Sequence, residues 1–432
     1  MPADAERERT MTHVVDVLKE RGLLEAITHP QLRERLQAPT VVYAGFDPSS
    51  ESLQAGNYVA IMALSHFQRC GHHVIALVGG ATGMIGDPSG KAAERALLTA
   101  EQVRRNTEGI RENLSRFLDF NHPTAPARIV NNQDWFAQFT FIDFLRDVGK
   151  HFRMGAMLDK ESVRSRLGSE SGMSFTEFSY QLLQAYDFLH LYDKHQCVLQ
   201  IGGSDQWGNI TAGTDLIRKL RGGEGYGLTI PLVCDSAGQK FGKSAGNAVY
   251  LDQRKTSCYS FYQFFLRTLD SDVLRYLKAF TFMPLAEIQT LEAELAAAPE
   301  RRAAQLRLAE EVTRAVHGEA GLKTAQRASA ALFGESMDGM RAEELLEIFA
   351  DVASTELPRA RVEGATWLDV VTAAGLCKSK ADARRLVDSG GLYVNNGRVK
   401  GIGATAAASD IVDGRIVVLR SGKRSFHLVK VV

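Results

Sequence analysis

Net charge is missing from this sequence: 51 Lys and Arg stand against 51 Asp and Glu. No single-signed field surrounds such a chain, so any surface for nucleic acid must be a local patch. Cysteine is sparse. Cys70, Cys197, Cys234, Cys258 and Cys377 are scattered, with no Cys-x-x-Cys pair. That argues against a zinc site or a disulfide framework and fits a reducing compartment. No apolar run approaches the ~18 residues of a membrane-spanning helix. The first residues also lack the apolar centre of a secretory signal. They are not poor in acids, as a transit peptide would be, because Asp4, Glu6 and Glu8 interleave with Arg7 and Arg9. The expectation is a cytoplasmic protein with no membrane association.

What is present is ordinary for a globular enzyme: 45% apolar and 24% charged residues over 432 positions. That length exceeds one ordinary core, so two or three domains are expected. Residues 12–27 read as an amphipathic helix. The apolar run Val41–Phe46 stops at Asp47-Pro48, a helical pattern runs from Gly56 to Arg69, and His73–Val78 is a second apolar run ending in Gly79-Gly80. Strand, helix, strand at this spacing is a βαβ unit and predicts a parallel sheet. Val198–Ile201 and Leu228–Val233 read as further strands, with a helix near 210–220 between them. Ligands of such sheets bind beyond the carboxyl ends of the strands. Here those ends are Asp47, Gly79-Gly80 through Asp87, and Gly202-Gly203-Ser204-Asp205.

The expected organisation is an α/β domain over 1–252, a helical domain over 253–353, a linker at 354–364 around Pro358, and a small α+β domain over 365–432. In the last, Leu368–Ala374 and Lys380–Ser389 read as helices. Hairpin turns are expected at Asn396-Gly397 and Ser421-Gly422.

Three segments carry candidate chemistry. Lys240-Phe241-Gly242-Lys243-Ser244 has two lysines three apart, able to turn both ammonium groups onto one polyanion. By itself it is equally a solvated basic turn. Ser52-Leu53-Gln54-Ala55-Gly56-Asn57 opens the first crossover helix, where free N–H groups and the helix dipole favour an anion. Taken alone it is better read as a plain helix start. In the helix Ser174–Leu189, Tyr180, Gln184 and Asp187 share one face, while Phe175, Phe178, Leu182, Ala185 and Leu189 cover the other. A helix so largely apolar is buried, and its polar stripe then needs partners, either a ligand or an internal network.

From Tyr43 to the C-terminus the chain resembles the bacterial-type tyrosyl-tRNA synthetases, class I enzymes. The resemblance rests on five segments in order: Tyr43–Pro48, Val78–Pro88, Phe175–Tyr180, Gln200–Asn209 and Lys240–Ser244. It implies a Rossmann-like parallel-sheet catalytic domain, a helical domain and an S4-like RNA-binding domain. It implies that Tyr43 and Asp187 pair the substrate phenol, that Asp87, Tyr180 and Gln184 hold its ammonium, and that Gln206 lies near its carboxylate. Asp47, Gln54, Gly56, Asn57, Gly203, Asp205 and Lys243 match ATP contacts, with Gly203 and Asp205 at the ribose. Lys240, Lys243 and Ser244, helped by Lys91 and Arg95, match the groups that clamp pyrophosphate, and Ser49 matches a hydroxyl on the γ-phosphate. The chemistry is coherent, because an ammonium needs anionic or carbonyl acceptors and a phenol needs both a donor and an acceptor, here Tyr43 and an ionised Asp187.

One segment departs from the family. Where most members have His-Ile-Gly-His, this chain has Gln54-Ala55-Gly56-Asn57, and Ser49 stands where Thr is commoner. Lys240 and Lys243, with Lys91 and Arg95, are then expected to supply most of the positive charge on the leaving group.

The resemblance thus implies a tyrosine–tRNA ligase using L-tyrosine, ATP and tRNA(Tyr), with Mg²⁺ carried by ATP and no dedicated protein metal site, acting as a homodimer. The alternatives are a synthetase for tryptophan, whose indole offers only a donor, and a non-catalytic RNA-binding paralogue, suggested by Gln54 and Asn57 alone. Between Lys378 and Val432 eleven Lys and Arg face four acids. This is the local patch that a neutral chain needs for RNA.

Overall fold

The first helix stops early. Val14–Glu20 form α1, shorter than the expected 12–27, because Gly22 takes a left-handed φ of 69° and turns the chain into β1 (Ala26–Ile27). The computed structural model describes residues 13–89, 97–168, 172–236, 238, 241–244, 247–332, 334–350, 352–422 and 425–432. The chain divides into two compact units. One comprises residues up to Ser257 with Gln263–Val316, the other Cys258–Tyr262 with His317–Val432.

In the first unit α2 (Leu32–Arg35) leads to β2 (Val41–Phe46), α3 (Ala55–Arg69), β3 (His73–Val78), α4 (Thr82–Ile85), α5 (Ala100–Leu114) and β4 (Arg128–Asn131). Short helices follow: α6 (Gln133–Phe136), α7 (Phe141–Asp147), α8 (Met154–Leu158) and α9 (Glu161–Leu167). Then come α10 (Phe175–His195), β5 (Cys197–Gly203), α11 (Trp207–Arg221) and β6 (Tyr226–Ile230). The last expected strand ends sooner than Val233, because Pro231 has no N–H to continue the ladder. The sheet order is β1-β6-β5-β2-β3-β4, with β2 to β6 parallel and β1 antiparallel at one edge.

From β2 the chain steps to β3 on one side and later returns to β5 on the other. The gap between the carboxyl ends of β2 and β5 is therefore the switch point where an open sheet binds ligands. β2 is buried between two parallel neighbours, which is why it reads as an unbroken apolar run. On one face Tyr43, Ile75 and Leu77 pack against Ala185, Phe188 and Leu189 of α10. Each large apolar side chain buried there contributes roughly 1.5–3 kcal/mol, so α10 is pinned to the sheet beside the switch point.

The short hairpin β7 (Lys243–Ser244) and β8 (Asn247–Ala248) precedes α12 (Cys258–Leu266), α13 (Asp270–Phe280), α14 (Leu285–Ala297) and α15 (Ala303–Leu332). α15 is interrupted at Gly318, with φ 72°. The second unit adds α16 (Ala342–Ile348), β9 (Ser354–Leu357), α17 (Trp367–Ala373), α18 (Lys380–Asp388), β10 (Leu392–Val394), β11 (Gly397–Arg398), β12 (Ile416–Ser421) and β13 (Ser425–Val431). Its sheet order is β11-β10-β12-β13-β9.

Two expectations change here. The stretch 354–364 is not a free linker, since Ser354–Leu357 pair in parallel with β13. The first hairpin turn lies one residue earlier than expected. Val394 pairs with Gly397, so the turn residues are Asn395 and Asn396, both with positive φ (46° and 62°). That is the type I′ geometry, which matches strand twist and which Asn tolerates. β12 is covered on both faces: Val417 and Leu419 meet Trp367 and Val371, while Ile416 and Val418 meet Ala331 and Leu345.

Candidate active site

A cleft of about 310 Å³ opens at the switch point. Its lining includes Tyr43, Asp47, Ser49, Gly56, Asn57, Asp87, Tyr180, Gln184, Asp187, Gly203, Asp205 and Gln206. Residues expected from distant segments are thus brought together. Size alone would not find this place. A groove of about 1240 Å³ runs along α5 and the edge strand β4. There Arg254 is already paired with Asp252 and Glu112, and none of the expected site residues lines it.

At the closed end, α10 delivers Asp187, which is 1% exposed. Ser174 starts this helix by accepting the Glu177 N–H on its Oγ. The Asp187 oxygens accept from Trp135 Nε1 at 2.9 Å and Asn132 Nδ2 at 3.1 Å. Burial pushes its pKa well above the ordinary carboxylate range, and the two N–H donors oppose that shift. Desolvation is the larger of these effects, and the two donors offset only part of it. Opposite stands Tyr43, buried, its hydroxyl without a hydrogen-bond partner among the described residues. Burial first, and then Asp187, raises the Tyr43 pKa, so the phenol stays protonated and can donate.

Midway along the cleft, Gln206 Nε2 donates to Asp87 Oδ2 at 2.7 Å, and Gln184 Nε2 donates to Gln206 Oε1 at 3.2 Å. Asn209 supports the group, donating to Gln206 Oε1 and to Ser89 Oγ, each at 3.2 Å. The Tyr180 hydroxyl donates to Asp47 Oδ2 at 2.7 Å, which leaves its oxygen able to accept. Thr82 donates to Asp47 Oδ1, also at 2.7 Å. Burial and then Asp47 raise the Tyr180 pKa, keeping that donor protonated.

The open end is made of backbone. The Ala55 N–H donates to Val249 O and the Val249 N–H to Gly242 O, each at 2.8 Å. These bonds seat the Phe241-Gly242 segment on the start of α3. Gly242 has φ 96°, and a Cβ there would lie 2.8 Å from the Gly56 nitrogen. Glycine is needed for this contact on both counts. Asn57 lines the cleft and accepts the Gln54 N–H on Oδ1 at 3.1 Å, which leaves its amide NH₂ as a donor. Gln54 does not line the cleft. Its strand-like pairing is with Tyr250.

Lys91, Arg95 and Lys240 lie outside the described residues, and for Lys243 and Ser244 only the backbone, in β7, is described. Phe175, expected on the apolar face of α10, is 66% exposed. Thr82, Ser89, Asn132, Trp135 and Asn209 were not singled out in the sequence. Thr82 and Asn209 sat inside motifs already noted. Asn132 and Trp135 gave no signal, since they follow β4 and reach Asp187 only through the fold.

In the second unit Lys378, Lys380, Arg384, Arg385, Arg398, Lys400 and Arg415 are exposed. Arg420 is not part of that surface. It is 7% exposed, lies over the Tyr393 ring at 3.8 Å and donates to Asn396 Oδ1. Lys423 and Arg424 lie outside the described residues.

Residues 35–334 match the family described as tRNA synthetases class I (W and Y), and residues 344–429 match the tyrosine–tRNA ligase SYY-like C-terminal domain. The chain is 50% identical over 428 residues to the tyrosine–tRNA ligase of Roseiflexus castenholzii, covering 98% of this chain and 100% of that one. It is 49% identical over 422 residues to that of Geobacillus stearothermophilus, covering 96% and 100%. Among solved structures, a C-terminally truncated mitochondrial tyrosyl-tRNA synthetase of Aspergillus nidulans superposes with a TM-score of 0.67 at 31% identity. That match covers 76% of this chain and 96% of the other.

Proposed function

The chain belongs to the tyrosine–tRNA ligase branch of the class I aminoacyl-tRNA synthetases, and from that premise we propose that it activates L-tyrosine with ATP and transfers the tyrosyl group to the 3′ end of tRNA(Tyr). In the first step a tyrosine carboxylate oxygen bonds to the α-phosphorus in line, and the bond to pyrophosphate breaks. In the second, a hydroxyl of the terminal ribose takes the acyl group and AMP leaves. Neither step needs a side-chain nucleophile. Catalysis is positioning and charge stabilisation.

The observation that carries this reading is the closed end of the cleft. A buried Tyr43 donor faces Asp187 across a space bounded by the Asp87–Gln206–Gln184 group. A phenol meets a donor and an acceptor there, while the ammonium and carboxylate of the same molecule meet Asp87, Gln184 and Gln206. Tyr180, through Asp47, closes the side of the ammonium site. An indole would leave one of the two phenol partners unpaired, at a cost of about 1–3 kcal/mol. Ser49, Asp47, Gly56, Asn57, Gly203 and Asp205 line the ATP side, and Mg²⁺ enters with the triphosphate. Lys240, Lys243, Ser244, Lys91 and Arg95 complete the clamp on pyrophosphate. Because Gln54 and Asn57 are uncharged, the lysines and Arg95 carry the cationic share. The non-catalytic alternative has no support among relatives aligned over the whole chain.

The exposed basic residues of the second unit are the surface for tRNA. Homodimerisation is supported by large apolar side chains left exposed between residues 141 and 175, among them Phe141, Ile142, Met154 and Phe175. No described helix is long and apolar enough to cross a membrane, and the cytoplasm is the compartment we assign. Pyrophosphate exchange tests the reading. Exchange should depend on tyrosine and be far weaker with phenylalanine or tryptophan. Equal exchange with tryptophan, or none with tyrosine, would defeat it.

A further inference from the structure

We propose that Thr82 is a positioning residue that locks the two substrate-facing carboxylates, Asp47 and Asp187, to each other through Asn132. Amino-acid selection and ATP use are then set by one hydrogen-bonded unit. The inference rests on the roles given above to those two carboxylates, and it concerns a hydroxyl to which those roles assign nothing.

Thr82 opens α4 and is 2% exposed. Its hydroxyl donates to Asp47 Oδ1 at 2.7 Å and accepts from Asn132 Nδ2 at 3.0 Å. The same Asn132 nitrogen donates its other proton to Asp187 Oδ2 at 3.1 Å, and Asn132 Oδ1 accepts the Ala81 N–H at 2.7 Å. That last bond decides the amide orientation. Flipped, the NH₂ would face an N–H, and the carbonyl would face a carboxylate. Asn132 therefore has no donor to spare.

The remaining ends are also engaged. Asp187 Oδ1 takes the Trp135 N–H and Asp47 Oδ2 takes the Tyr180 hydroxyl. The chain from Tyr180 to Trp135 thus runs through Asp47, Thr82, Asn132 and Asp187 with one satisfied arrangement. Buried polar networks of this kind are rigid while complete, and they lose uniqueness when one member is removed. Gly79 makes the central bond possible, because a Cβ on it would collide with both Asp47 and Thr82.

The hydroxyl is the only polar atom Thr82 contributes from its side chain. Removing it leaves Asp47 short of a donor and Asn132 short of an acceptor at the same time. The two ends of the cleft should therefore loosen together.

The test compares Thr82→Val, which keeps the shape and loses the hydroxyl, with Thr82→Ser, which keeps the hydroxyl. Rates are normalised to the adenylate burst, so that only folded, active sites are counted. In pyrophosphate exchange Thr82→Val should lower the preference for tyrosine over phenylalanine about tenfold and raise KM for ATP about tenfold. Thr82→Ser should restore both to within about twofold. The proposal is overturned if Thr82→Val moves neither quantity or only one, or if serine fails to restore what valine lost. Asp187→Asn separates this failure from failure of the reading beneath it. Lost preference in Asp187→Asn with intact preference in Thr82→Val removes the relay alone. Intact preference in Asp187→Asn removes the assignment of the phenol site.

Discussion

The two ends of the cleft are built from different materials. At the closed end and along the middle of the cleft the carboxylates are held chiefly by side chains: Asp187 by Asn132 and Trp135, Asp87 by Gln206. At the open end the contacts are backbone on backbone, Gly242 against Gly56 and Ala55 against Val249. The difference follows the chemistry. Telling one amino acid from another needs donors and acceptors at set places, and a buried network supplies them. A triphosphate presents many equivalent oxygens, and N–H groups with point charges suffice for it.

The strongest way to break this contrast is at Asp187. Asp187→Ala should leave the Trp135 and Asn132 donors unpaired together. We expect the kcat/KM ratio of tyrosine to phenylalanine to fall by about 100-fold or more, near 3 kcal/mol. Pyrophosphate exchange with each amino acid measures it, and an unchanged ratio would remove specificity from the closed end.

Lys243→Ala tests the other end. It should slow adenylate formation by about 100-fold while tyrosine binding, followed by intrinsic fluorescence, hardly changes. A parallel loss of tyrosine affinity would show that the two ends are not separable in the way their construction suggests.

A smaller effect should appear outside the cleft. Replacing Lys378 and Arg384 by Glu should weaken tRNA binding about tenfold and flatten its salt dependence, leaving exchange untouched. The buried Arg420 behaves otherwise: Arg420→Met should lower the melting temperature, as expected of a side chain bonded to Asn396 and Gly422.

The last effect leaves the chemistry of both ends alone and concerns the stability of α3, which presents the open end. His66 is buried in that helix, edge-on to Phe282. Burial, with Arg21 and Arg69 nearby, lowers its pKa to about 3. Between that value and the unfolded value of 6.5, the unfolded chain binds a proton that the folded one does not. Stability is therefore full above pH 6.5 and falls as pH drops toward 3, with a limiting slope of about 1.4 kcal/mol per pH unit. Urea unfolding at stepped pH should show this slope, and His66→Leu should remove its share.

Much of this is legible in the sequence. Local patterns carry it: apolar runs bounded by glycine and aspartate mark β2, β3 and β5, and the stripe Tyr180, Gln184, Asp187 marks the functional face of α10. Other elements were misplaced for reasons just as local. Asn395 and Asn396 both accept left-handed φ, which moves the hairpin turn back one residue. A short polar strand such as β9 has no apolar alternation to announce it.

By itself the sequence determined the parallel sheet, the segments that meet at its switch point and the chemistry they bring, because these follow from periodicity and from side-chain type. Tertiary structure alone decided which partners complete them. Asn132 and Trp135 lie more than fifty residues before Asp187, and they reach it because β4 sits beside β3 at the sheet edge. Tyr180 meets Asp47 rather than solvent because α10 is packed on the strands. Gln54 has its backbone paired with Tyr250, a partner almost two hundred residues away. A hydrogen bond between distant residues depends on where packing puts them, and no local spacing encodes that.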